Sequence, residues 1–145
     1  WRRWRGGWGG RGVACSAAAV AGAEQARALG LRVADELERT CDLAVDGADE
    51  IDHDLGLIKG RGGALFREKL IAVNSERFVV VADESKLVKR LGAGVLPVEV
   101  LPFLWQRMAA HFSDRGIAWQ LRGGAASPYI TDNGNLVLYL SIQVG

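Results

Sequence analysis

The segment Asp46-Gly47-Ala48-Asp49-Glu50-Ile51-Asp52 places four carboxylates within seven residues, directly after the apolar stretch Leu43-Ala44-Val45. Seven residues later a lysine opens a glycine run, Lys59-Gly60-Arg61-Gly62-Gly63, and Glu68 follows. Carboxylates, a lysine and a loop of accessible backbone are the parts needed to move protons on a small anionic substrate. A carboxylate can serve as general base toward a carbon acid. A lysine and backbone N–H groups can hold the oxyanion that forms. The pattern points to an enzyme rather than a scaffold.

Each part also has a plainer reading. The acidic segment could be a solvated turn or a Ca²⁺ loop, although an EF-hand would need an acidic residue at a fixed spacing after its glycine, and none stands there. If Asp46 and Asp49 sit where a parallel strand ends, they lie where open α/β sheets collect ligands. Gly47 would let the chain turn there without a Cβ penalty, and crowding would prepare one carboxylate to hold a proton. The glycine run is neither a Walker A loop nor a GxGxxG fingerprint. Its N–H groups could still approach an oxyanion at a helix N-terminus. By default Glu68 is an exposed helix acid and Lys86 a surface lysine.

The elements that must position these residues alternate. Residues 16–30 predict a helix, capped by Ser16 and ended by Gly30. Leu31 to Val33, residues 42–46 and residues 55–59 predict short strands. Residues 64–74 predict a helix with Phe66, Leu70 and Val73 on one face. Phe78 to Ala82 is a continuous apolar run, expected to be a strand buried on both faces. Strands alternating with helices argue for an α/β layer fold. After Leu96 the character changes. Pro97 and Pro102 bracket Val98 to Val100, residues 103–115 predict an amphipathic helix, and 129–131 with 136–140 predict a hairpin. Its tight primed turn would be supplied by Asn133-Gly134.

Composition narrows the function classes. The chain has 145 residues, 49% hydrophobic and 24% charged, ordinary for a soluble domain. No apolar run reaches the roughly 20 residues of a membrane span, and no signal peptide opens the chain. Cys15 and Cys41 have no metal or disulfide-framework spacing, and His53 and His111 are too few for a zinc site. A reducing cytoplasm is the simplest setting. Residues 1–12 are only Trp, Arg and Gly; without their four arginines the remaining chain has 14 basic and 17 acidic residues, a net of −3. That leaves no basic face for nucleic acid. The tract itself reads as out-of-frame or misassembled sequence rather than as a nucleic-acid-stacking segment.

In this order and at suitable spacings the chain contains VDGADEID, IKGRGGALFREKLIA, VVADESKLVKRLG, LPVEVLPF and TDNGN. Together these blocks resemble ribose-5-phosphate isomerase of the A type, over roughly residues 40–140 and more loosely over 13–39. The resemblance implies an aldose–ketose isomerase of the pentose phosphate pathway. Such an enzyme interconverts ribose 5-phosphate and ribulose 5-phosphate through an enediolate, with no metal and no cofactor. By position Glu68 matches the proton acceptor, and Asp46 and Asp49 match acids that bind sugar hydroxyls and assist ring opening. Lys59 matches the lysine that steadies negative charge on oxygen. Gly47, Ala48, Gly60, Arg61, Gly62 and Lys86 match further substrate-binding positions. The fold implied is α/β. A three-layer sandwich with a mainly parallel, Rossmann-like sheet over 13–96 is followed by a small α+β domain over 97–145. The partner implied is a small sugar phosphate, with no membrane and no nucleic acid, and with self-association into a dimer or tetramer.

Three departures stand beside the resemblance. The family's upstream GTGST-type phosphate loop is absent, with the Trp/Arg/Gly tract near its place. Arg61 stands where relatives often have glycine; its guanidinium could add a phosphate or intersubunit contact, but the side chain is expected to point to solvent. The family continues past residue 145, so the chain reads as cut at both ends. A phosphosugar-binding module without catalysis and an inactive fragment of the isomerase are the alternatives.

Overall fold

The computed structural model describes residues 14–34 and 40–142. The reading of residues 1–12 falls outside them. The chain divides into two units, Trp1–Arg39 and Thr40–Gly145.

In the first unit, strand β1 (Ala14–Cys15), helix α1 (Val20–Ala28) and strand β2 (Arg32–Val33) make a parallel β–α–β step. Alanine-rich sequence favours the helix. Ser16 does not cap it, contrary to expectation. The N-cap is Ala19, with no side-chain hydrogen bond. A capping hydroxyl reaches only the N–H groups two or three residues ahead, and Ser16 lies too far upstream.

The second unit starts with strands β3 (Ala44–Asp46), β4 (Glu50–Ile51) and β5 (Leu57–Ile58), then helix α2 (Leu65–Val73) and strand β6 (Phe78–Val80). A 3-10 turn at Glu84–Lys86 leads away from β6. Strand β7 (Leu96–Val100), helix α3 (Trp105–Ser113) and strands β8 (Ala118–Leu121) and β9 (Leu136–Ser141) complete it. Strands β3 and β6 pair in parallel, with Asp46 opposite Val80. Strands β4 and β5 form an antiparallel hairpin, with Glu50 opposite Ile58. The class is α/β, with parallel and antiparallel sheets.

The apolar run at β6 was expected to be covered on both faces, and it is not. Val79 is 43% and Val81 65% exposed, and Phe66, Leu70 and Val73 on α2 are exposed as well. Among the described residues β6 pairs with β3 alone, so apolar pattern there runs ahead of burial. The strand covered on both faces is β9, whose Val137 and Leu138 are fully buried. It is central in the antiparallel order β7-β9-β8. Val100, Ala109, Leu121, Leu136, Leu138 and Leu140 form the core between this sheet and α3. Trp105 and Trp119 meet edge-to-face there at 6.1 Å.

The hairpin expectation is also corrected. Residues 129–131 are not a strand, and β9 pairs with β8 and β7. Gly134 has positive φ but Asn133 does not. The turn is closed by Gly134 N–H to Thr131 O and by Thr131 N–H to Asn135 O. A type I′ turn needs positive φ at both central residues and a type II′ turn at the first. Here the Asn133 side chain is occupied instead, donating to Glu99.

Candidate active site

Strand β3 ends at Asp46, and Val81 N–H donates to Asp46 O, so the parallel pair delivers this carboxylate at its C-terminal end. The hairpin β4–β5 then carries the chain to Lys59, and the glycine loop leads into α2, which presents Glu68. Lys59 Nζ lies 2.8 Å from Asp46 Oδ2 and 3.2 Å from Glu68 Oε2. It also donates to Gly47 O at 2.6 Å. One ammonium therefore joins the strand end, the turn and the helix. The contact with Glu68 is an ion pair without hydrogen-bond alignment. Glu68 Oε2 is buried and has no hydrogen-bond partner among the described residues.

Each carboxylate of the acidic segment takes different donor groups. Asp46 Oδ1 accepts from Gly47 N–H, and Asp49 Oδ2 from Arg61 N–H at 2.9 Å. Asp52 Oδ1 accepts from Gly56 and Asp54 N–H and so closes the β4–β5 turn. Gly47 does not need its special freedom, since its φ is not positive and a Cβ would meet only Val81 O, at 3.8 Å. Ala48 is half-buried in the same turn.

Glu50 is the residue that sequence reasoning passed over. It is 3% exposed and accepts from Gly92 and Ala93 N–H on Oε2. Gly94 N–H and the Arg61 guanidinium donate to Oε1. Burial would raise its carboxyl. The Gly94 and Gly92 N–H groups and Arg61 outweigh that and hold it below its ordinary value. Arg61 was expected to face solvent. Its guanidinium instead pairs with Glu50 and leans on Val95 O. A bare acidic run carries no signal of which member is buried.

Within the glycine loop, Arg61 N–H is taken by Asp49 and Gly63 N–H by Gly60 O. The N–H groups of Gly60 and Gly62 have no acceptor among the described residues. Gly63 has φ +106°, and a Cβ there would collide with the Tyr129 phenol. Gly63→Ala is expected to destabilise the chain by about 1–3 kcal/mol from backbone strain, with further cost from the collision. Gly62 has open space around its Cα and no positive φ, so Gly62→Ala should melt within a degree or two of wild type. Thermal unfolding of the two variants side by side checks this; equal melting would refute the loop geometry.

Arg67, beside Glu68 on α2, was also passed over. Its Nε donates to Asn133 Oδ1 at 2.7 Å and its Nη2 to Asp132 O at 3.2 Å. Glu99 Oε1 braces the same turn, accepting from Thr131 Oγ1, Asn133 Nδ2 and Asn135 Nδ2. The helix that carries Glu68 is thus tied to the Thr131–Asn135 turn. Lys86 sits in the 3-10 turn drawn alongside β4, where Val88 N–H donates to Ile51 O. The neighbouring Asp83 carboxyl is held below its ordinary value by hydrogen bonds from the Ser85 side chain and backbone, and by the charge of Lys86. No contact joins Lys86 to the Lys59 cluster among those described. Among the described residues no three His, Cys, Asp or Glu side chains converge as a metal would require.

The chain is thus of mixed α/β class, with a lysine held between two carboxylates at the end of a parallel strand. The sequence model of ribose 5-phosphate isomerase A (phosphoriboisomerase A) matches residues 11–144. The chain belongs to that family. Ribose-5-phosphate isomerase A of Bacillus mycoides (strain KBAB4) is 50% identical over 97 residues, covering 67% of this chain and 44% of the relative. The solved ribose 5-phosphate isomerase of Plasmodium falciparum superposes with a TM-score of 0.83 at 35% identity, over 90% of this chain and 58% of that one. A D-ribose-5-phosphate isomerase solved in complex with phospho-erythronic acid superposes with a TM-score of 0.81 at 36% identity, over 89% of this chain and 58% of that one. The chain spans about half the length of the curated relatives it matches. No helix among the described residues is long and apolar enough to cross a membrane.

Proposed function

We propose that this chain carries the proton-transfer site of a ribose-5-phosphate isomerase. The observation that carries the reading is Lys59 Nζ set between Asp46 and Glu68 at 2.8 and 3.2 Å. In the proposed reaction Asp46 and Asp49 hold sugar hydroxyls and assist ring opening. The Glu68 carboxylate removes the proton from C2 of the open-chain aldose, and the electron pair moves to the carbonyl oxygen on C1. Lys59 and the N–H groups of Gly60 and Gly62 stabilise the enediolate oxygen. A proton passes from the C2 hydroxyl to the C1 oxygen, and Glu68 returns its own proton to C1 as the carbonyl forms at C2. Lys86 is placed in the same proposal as a substrate-binding cation. The phosphorylated sugar acid bound by a solved relative supports a sugar phosphate as the ligand class.

Cytoplasmic location and self-association belong to the same proposal, as does a place in the pentose phosphate pathway. The test is conversion of ribose 5-phosphate to ribulose 5-phosphate by this 145-residue chain beside a version extended to the relatives' length. Binding of the sugar phosphate without turnover in both would favour a phosphosugar-binding module. Turnover only in the longer version would make the present chain an inactive piece of the isomerase. Asp46→Asn should lower turnover less than changes at Glu68, because ring opening also proceeds in water. A progress curve started from pre-opened substrate checks this, and should narrow the gap to wild type.

A further inference from the structure

We propose that Glu50 is a positioning residue for the proton-transfer site, acting through Arg61 on the glycine loop that carries Lys59. The inference rests on the isomerase reading only in taking that loop as the substrate loop.

Arg61 is held at both ends by consecutive residues of one segment. Asp49 Oδ2 accepts its backbone N–H at 2.9 Å, and Glu50 accepts its guanidinium. Glu50 also gathers the N–H groups of Gly92, Ala93 and Gly94 at 2.8, 3.2 and 2.7 Å. One carboxylate therefore joins β4, the glycine loop and the segment that enters β7. Gly94 leaves the room this requires, since a Cβ there would collide with the Arg61 guanidinium.

A buried ion pair is a weak device for stability, because desolvating both charges offsets most of their attraction. Its geometric effect is better defined. With the Arg61 N–H and side chain both occupied, the loop has one register. That register leaves the Gly60 and Gly62 N–H groups unspent and sets where Lys59 leaves the backbone. Arg61 itself then acts on the substrate through the loop and not through its guanidinium.

The experiment compares wild type, Glu50→Gln, Arg61→Met and the double variant, by ribose 5-phosphate kinetics and by amide hydrogen exchange. Glu50→Gln should lower kcat by up to about 10²-fold, the scale of a small misplacement of reacting groups, with a smaller change in KM. Exchange should accelerate over residues 60–63 and stay unchanged in β9. The double variant should be no worse than the more damaged single one, as for residues acting as a unit. Wild-type kcat in Glu50→Gln, or additive losses in the double variant, would overturn the proposal. So would uniform acceleration of exchange across β7, β9 and β8, which marks a general stabilising role. Arg61→Met keeps the question open to refutation if Glu50→Gln fails to fold, because Arg61 lies nearer the surface. Failure of the isomerase reading looks different: even the version extended to the relatives' length would not turn over ribose 5-phosphate, whether or not it binds phospho-erythronic acid.

Discussion

Glu68→Gln is expected to bind sugar phosphate and to lose most turnover, with kcat reduced by about 10²–10⁴-fold, the contribution of a positioned general base. The amide keeps the size and shape of the carboxylate, so α2 and its ties through Arg67 to Asn133 and Asp132 should survive. What it loses is the ability to accept a proton from carbon. Its carboxylate lies 3.2 Å from Lys59, with Oε2 buried and without a hydrogen bond. Asp46 shares the Lys59 ammonium but also accepts from Gly47 N–H. Measurement of kcat and of the dissociation constant for phospho-erythronic acid separates the two effects. Near-wild-type turnover would remove Glu68 from the base role. Lost binding together with lost turnover would mean that the residue holds the ligand rather than moves its proton.

Lys59→Met is expected to cost about 10²–10³-fold in kcat, the scale of removing one oxyanion donor. A second consequence follows from the geometry. Asp46 and Glu68 both converge on the ammonium, with side chains 29% and 18% exposed. Without it two half-buried carboxylates share a site with no counter-charge, and like charges so placed repel. The variant should therefore also bind an anionic sugar phosphate more weakly, whereas Glu68→Gln should not. Methionine retains much of the apolar stem, so packing is little changed. Isothermal titration with phospho-erythronic acid checks the binding arm. Unchanged affinity with unchanged kcat would take Lys59 out of the site. If Glu68 and Lys59 act as a unit, the double variant falls far short of the product of the single losses.

Much of this site is legible in the sequence because it is local. Asp46, Lys59 and Glu68 lie within 23 residues, separated by a hairpin turn and a glycine loop whose residue types have few alternatives. The strand ending at Asp46, the loop and the helix bearing Glu68 follow from pattern, and the five collinear blocks carry the family. The sequence could not say which carboxylate meets which donor. Asp46, Asp49, Glu50 and Asp52 look alike as residue types, yet each takes a different set of donor groups, and only Glu50 of the four is buried.

Local sequence determined the α/β class, the helices near 20–28, 65–73 and 105–113, and the set of residues able to do chemistry. Periodicity and turn chemistry act over a few residues and need no distant partner. Tertiary structure alone decided that β9 rather than β6 is covered on both faces, because burial depends on what packs against a strand and not on its own apolar run. It alone turned Arg61 inward onto Glu50, 11 residues away, and onto Val95 O, 34 residues away. It also joined Arg67 to Asn133, 66 residues away. Hydrogen-bond partners at such separations are set by the fold, which is why the residues that hold the site are harder to read than those that form it.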